Sequence, residues 1–209
     1  MAILLAALAG AAVPALAAKP RETVLEQLRS RDANIRRGAA ERLGRVGRQA
    51  DAKSLVRLLT DSEAAVRKAA EAALWQIWSR SGDARVDAVF KRGVSQMNSV
   101  MAEAAVASFS EVIRLKPDFA EGWNKRATVL YFLGRNEESL SDCLEVLKRN
   151  PEHFGALSGM GQVYARLDDY ERALESFERA LAINPNLAGV AANIEGLRRI
   201  IEERARRTT

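Results

Sequence analysis

Cys143 and His153 are where a catalytic reading would begin, since a thiol and an imidazole can serve as nucleophile and base when a third group orients the base. They are also the only cysteine and the only histidine in the chain. An internal disulfide framework is therefore impossible, and a zinc site of ordinary composition has no ligand set. The positions of both residues argue for packing instead. At a spacing of 34, Cys143 falls in register with Phe109 and Phe177, which marks it as a buried gap filler. His153 follows Pro151 and Glu152 at the boundary between two such units, where a helix-start or packing role is expected. The sequence predicts no catalytic residue, no metal and no cofactor, hence a protein that is not an enzyme.

The elements that must carry any other function are helical. The chain has 209 residues with net charge +5, and 48% of them are hydrophobic, too many for disorder and enough for a sizeable core. Only 13 Gly and 5 Pro interrupt long runs of good helix formers, so an all-α chain is predicted. Residues 1–18 carry no charged side chain and end in small residues, with Pro14 breaking the apolar run just before Ala15-Leu16-Ala17-Ala18. A signal peptide over 1–18 is expected, giving an exported chain, periplasmic or secreted. If uncleaved, the same segment would leave the protein anchored.

Two internal periods follow. Residues 28–43 and 59–74 align at an offset of 31, pairing Leu28 with Leu59, Ile35 with Val66, Arg36 with Arg67, Ala39 with Ala70 and Leu43 with Leu74. A polar residue, Ser30 or Asp61, is placed to cap the second helix of each unit. The branched aliphatic and the Leu eight positions later face the core, and Ala pairs permit close helix approach. Gly47 ends one helix before the next begins near Ala50. This pattern over 19–82 resembles the short HEAT repeat. The chromophore-lyase activity of some HEAT relatives is not implied, because none of their functional residues can be matched.

From Val86 the period becomes 34, with Pro117, Pro151 and Pro185 in register. Gly93, Ala127 and Gly161 form a small-residue column, Ala105, Ser139 and Ala173 a second, and Phe109, Cys143 and Phe177 an aromatic-sized one. Small residues let the two helices of a unit approach, and the large one fills what remains. The pattern resembles the tetratricopeptide repeat (TPR), with units at 86–119, 120–153 and 154–187 inside a region 83–187. An amphipathic helix at 188–209, with Ile194, Leu197, Ile200 and Ile201 on its apolar side, is expected to cap the stack. Trp75 and Trp78, three apart, are read as core at the joint between the two repeat regions. The short break Ser79-Arg80-Ser81-Gly82 predicts one α-α superhelix. The runs Phe119–Thr128 and His153–Gly161 further resemble small exported bacterial TPR proteins, which adds an envelope location.

In TPR proteins the first helix of each repeat lines a concave groove. The resemblance implies a protein-binding face formed by Phe90 and Lys91, by Asn124, Lys125, Thr128 and Tyr131, and by Ser158, Gly159, Gln162 and Arg166. Such a surface can hydrogen-bond an extended peptide. A mid-helix glycine costs about 1 kcal/mol relative to Ala, so either a partner or the capping helix is expected to approach Gly159. The carboxylate clamp of some family members needs Lys, Asn and Arg where this chain has Phe90, Val94, Lys125, Gly155 and Gly159, which disfavours a cytosolic co-chaperone. Asp87 with Lys91 and Glu121 with Lys125 are predicted to be solvated pairs one turn apart.

Charge is uneven. Residues 19–82 hold 14 basic and 8 acidic side chains, a net +6, while residues 83–209 are net −1. Arg29, Arg31, Arg36, Arg37, Arg42, Arg45 and Arg48 concentrate the excess as a basic patch. The sequence thus predicts an adaptor that binds a peptide segment of another envelope protein. The alternative is a basic docking module for anionic lipid, with nucleic acid the less favoured ligand because no recognised nucleic-acid motif is present.

Overall fold

A computed structural model describes residues 21–208, all of whose regular elements are helical. The expected signal peptide lies outside the described residues. Helices α1 (Arg21–Gln27) and α2 (Ala33–Val46) form a first hairpin. A broken helix made of the 3₁₀ turns Gln49–Asp51 and Arg57–Thr60 around α3 (Ala52–Val56) then pairs with α4 (Ala64–Trp78). Three further hairpins follow: α5 (Ala84–Asn98) with α6 (Ala102–Leu115), α7 (Ala120–Phe132) with α8 (Asn136–Arg149), and α9 (Phe154–Arg166) with α10 (Tyr170–Ile183). Helix α11 (Ala188–Thr208) closes the stack.

The 31-residue period is visible as one bonding scheme used twice. Arg36 donates to the carbonyls of Ser30 and Arg31, and Arg67 donates to those of Asp61 and Ser62, so each Arg ties the loop ahead of its helix to that helix. Ser30 and Asp61 are not the helix caps, however. Asp32 caps α2 by accepting from the Asn34 N–H, and Asp61 accepts from the Glu63 N–H two residues ahead of α4, as an Asx turn. Asp61 also receives Arg36 through two hydrogen bonds of 2.7 Å. Val66 is buried but its counterpart Ile35, at the open end of the stack, is 41% exposed, contrary to the core role expected for it.

In the later hairpins, small residues face large ones. A Cβ on Gly93 would lie 2.7 Å from the Phe109 ring, and one on Gly161 would lie 2.6 Å from the Phe177 ring. The middle repeat swaps both partners, so that Ala127 is accommodated because Cys143 is smaller than Phe. Val190, Ile194 and Leu197 bury α11 against this core. Ile200 is 39% exposed, because the buried stripe continues at i+7 and i+11 to Leu197 and Ile201 and leaves Ile200 off its edge.

The chain also folds back on itself. Trp78 is core and Trp75 is partly buried against it, and both meet the start of the third 34-residue unit, where Phe154 joins the same apolar cluster as Leu43, Leu74 and Ile77. Asn186, just before α11, donates to the Leu59 carbonyl and accepts from Arg67. The N-terminal hairpins are thereby docked against the first turn of α9 and the α10–α11 turn.

Candidate interaction groove

The docked tryptophans occupy one half of the concave side. His153 is the N-cap of α9, and its Nδ1 accepts the Ala156 N–H at 3.0 Å, which leaves Nε2 to carry the proton and donate to Glu121 Oε2 at 3.0 Å. Asn124 donates to the same oxygen at 3.1 Å, and Lys125 Nζ lies 3.2 Å from Oε1. Trp78 stacks on the imidazole with ring centroids 4.4 Å apart, and Trp75 meets both Trp78 and Phe154 edge-on. A Cβ on Gly155 would sit 2.5 Å from the Trp75 ring, so glycine is what lets that ring lie against α9. Burial pushes the Glu121 carboxyl up, but the hydrogen bond from His153 Nε2–H and the nearby Lys125 ammonium together outweigh it and hold the group below its ordinary 4.5. Glu121 and Lys125 are thus no solvated surface pair: Glu121 is 1% exposed. Asp87 is likewise not paired with Lys91, and accepts the Ser81 N–H instead.

The other half of the concave side is open. Between α7, α8 and α9 lies a cavity of about 50 Å³, walled by Asn124, Thr128, Tyr131 and Gln162, with Gly159 and Cys143 at its base. Gln162 and Phe132 are exposed at its rim. Arg166 crosses from α9 to donate to the Tyr131 carbonyl, its guanidinium 3.5 Å from the centre of that ring. A Cβ on Gly159 would meet nothing closer than Cys143 Sγ, at an ordinary 3.6 Å. Neither α11 nor any other described element therefore requires glycine there. Burial, with a smaller push from Asp142, raises the Cys143 thiol to about 12, so it is no thiolate nucleophile at neutral pH.

Of the residues expected to bind a partner, Asn124, Thr128, Tyr131, Gly159 and Gln162 converge on this cavity. Phe90 does not belong with them: it is 4% exposed and packs on Phe109 and Phe119, because the phenyl ring is needed inside the first hairpin. Asn124 is 7% exposed, with its amide committed to Glu121. Lys91 is exposed on α5, apart from the cavity, and Ser158 is half-buried beside it. The basic patch is also divided. Arg36 and Arg42 are structural, tied to Asp61 and to Gln27 respectively, whereas Arg29, Arg31, Arg37, Arg45 and Arg48 are exposed. The cluster of Glu121, His153 and Trp78 escaped the sequence reading, and its only local trace is Gly155 in the first turn of a helix.

A stack of helical hairpins with a concave side half filled from within and half open is an α-α superhelix of the helical-repeat class. The chain contains tetratricopeptide repeats: the tetratricopeptide repeat family model matches residues 118–186, essentially the second and third 34-residue units. A TPR repeat-containing protein of Rhizobium etli is 37% identical over 108 residues, which cover 52% of this chain and 53% of the relative. Human tetratricopeptide repeat protein 13 is 31% identical over 106 residues, covering 48% of this chain and 12% of that protein. The chain thus spans about half the length of the first relative and far less of the second. Among solved structures, the first TPR of Spaghetti bound to an HSP90 peptide superposes with TM-score 0.56 at 18% identity, over 57% of this chain and 96% of that one. The Sgt2 TPR domain from Aspergillus fumigatus gives 0.57 at 21% identity, over 59% of this chain and 83% of that one.

Proposed function

We propose that the protein is a non-enzymatic adaptor whose open half-groove binds a peptide segment of an envelope protein, and that it works after export. The observation that carries this reading is the cavity beside Gly159, where a helix-weakening residue that the fold does not require sits under polar walls able to bond a peptide backbone. The solved Spaghetti domain, bound to a peptide, supports a peptide as the kind of ligand. The N-terminal hairpins are taken as HEAT-like units that brace the groove.

A photo-crosslinking residue at exposed Gln162, in the native cell, tests the reading. Capture of one dominant protein of the cell envelope, abolished by Thr128→Ala with Tyr131→Ala while helicity by circular dichroism is unchanged, is the expected result. Absence of capture, or capture indifferent to those substitutions, rejects it. Export is tested separately by the N-terminal sequence of the purified cellular protein, which should begin at Ala18 or Lys19. A mature chain that retains residues 1–17 in the soluble cytoplasmic fraction rejects export.

A further inference from the structure

A second groove runs between α2 and α4, on the N-terminal hairpins. Its floor is made of Ala65, Ala69, Ala72 and Ala73, its volume is about 350 Å³, and Arg37, Arg45 and Lys68 stand on its walls with Glu41. The helices lie close together, since a Cβ on Gly44 would be 3.0 Å from the Ala73 Cα. The trough is therefore shallow and lined by methyl groups. Arg45 and Lys68 are exposed and have no ion-pair partner among the described residues, while Arg37 faces Glu41 only at 3.9 Å. Three cations against one carboxylate leave the groove positive, in the region 19–82 that carries the whole excess of basic side chains.

We propose that this groove is a second docking surface, and that its occupant is an acidic segment of a partner protein. Charge complementarity selects the sign of the partner, because the carboxylates of such a segment would pair with Arg37, Arg45 and Lys68 at the walls. The floor selects its class. An apolar trough between two helices, whose axes pack about 8–10 Å apart, takes one polypeptide segment with small side chains facing inward. A flat bilayer surface or a nucleic-acid duplex would reach exposed Ala65 and Ala72 but leave Ala69 and Ala73, deeper in the trough, uncovered. This surface is formed by α2 and α4, and the cavity at Gly159 by α7, α8 and α9, so the two readings stand or fall separately.

The test uses the full chain and a fluorescent synthetic peptide of alternating glutamate and alanine, read by anisotropy. Arg45→Glu with Lys68→Glu should weaken binding about tenfold or more, the equivalent of losing two charge pairs and adding repulsion. Ala72→Phe, which changes no charge and fills the trough at an exposed position, should weaken it comparably. Raising salt from about 50 to about 500 mM should also release the peptide. Gln162→Ala should leave this binding unchanged. The proposal is overturned if the peptide does not bind, or if Ala72→Phe binds as well as the parent, which would reduce the effect to general positive charge. It is equally overturned if phosphatidylglycerol vesicles or duplex DNA bind more tightly than the peptide and with the same dependence on Arg45 and Lys68.

Discussion

The two halves of the concave side are built from successive turns of the same helices, yet one is filled by the tryptophans of the N-terminal hairpins and the other is open. Glycine marks the difference. Gly155 and Gly159 stand one turn apart on α9, but a methyl group at the first would strike the Trp75 ring at 2.5 Å, and at the second would only touch Cys143 Sγ at 3.6 Å. In the sealed half, glycine answers to a ring already present in the same chain. In the open half it answers to nothing described in the fold. The repeat scaffold thus uses half of its concave side to brace its own N-terminal hairpins and leaves the remainder uncovered by any described element.

The comparison is broken most severely at His153. Replacing it by Ala removes the α9 cap and strips the buried Glu121 carboxylate of its principal partner, which should cost about 3 kcal/mol in chemical denaturation. A loss below about 1 kcal/mol would mean that water or Lys125 replaces the imidazole and that the half is not sealed as described. Gly155→Ala should cost about 1–2 kcal/mol, because Trp75 is held edge-on by Trp78 and Phe154 and cannot swing clear of the new methyl group. An unchanged or raised stability would show that the ring moves freely.

Acid probes the same half. Glu121 is held below its ordinary 4.5, so its contribution to stability is complete above about that pH and is lost as the pH falls through the lower value in the folded protein. Glu121→Gln should flatten the stability profile below pH 4.5 relative to the parent, at a constant cost above it. Profiles that remain parallel through that range would remove Glu121 as a source of acid sensitivity. The base of the open half should show no such behaviour near neutrality, since the Cys143 thiol is raised to about 12 and is 2% exposed. Iodoacetamide should therefore label it only at the rate of unfolding.

What could be read in advance is what repeats. The 34-residue columns specify which small residue meets which large one, and Cys143 was legible as a packing residue because Phe109 and Phe177 share its column. The 31-residue offset likewise placed Arg36 opposite Arg67, which the structure shows bonding in the same way. Contacts that no period relates were not legible. The docking of Trp75 and Trp78 onto His153 and Phe154 joins segments far apart in the chain, and neither repeat contains the other's complement. The burial of Glu121 follows from that docking, which is why a pair that looks solvated by its spacing is sealed. Ile35 and Ile200 are exposed for simpler reasons: Ile35 lies on the expected face but little packs against it, and Ile200 lies just off the edge of the stripe that α11 buries.

The smallest effect discriminates best. Gly159→Ala places a methyl group on a mid-helix position where the backbone needs no positive φ and where the nearest atom is at ordinary contact distance. The helix should gain roughly 0.5–1 kcal/mol, opposite in sign to the same change at Gly155. The methyl group also enters a cavity of only about 50 Å³, so capture of a peptide partner through Gln162 should fall as stability rises. Stability and binding that move in opposite directions would separate this glycine from every glycine that the packing explains. If Gly159→Ala is destabilising, the residue is another packing glycine like Gly161, and the open half has lost the observation that distinguished it. If stability rises and capture is unaffected, the partner approaches elsewhere on the rim, and exposed Phe132 is the residue at which to look for it.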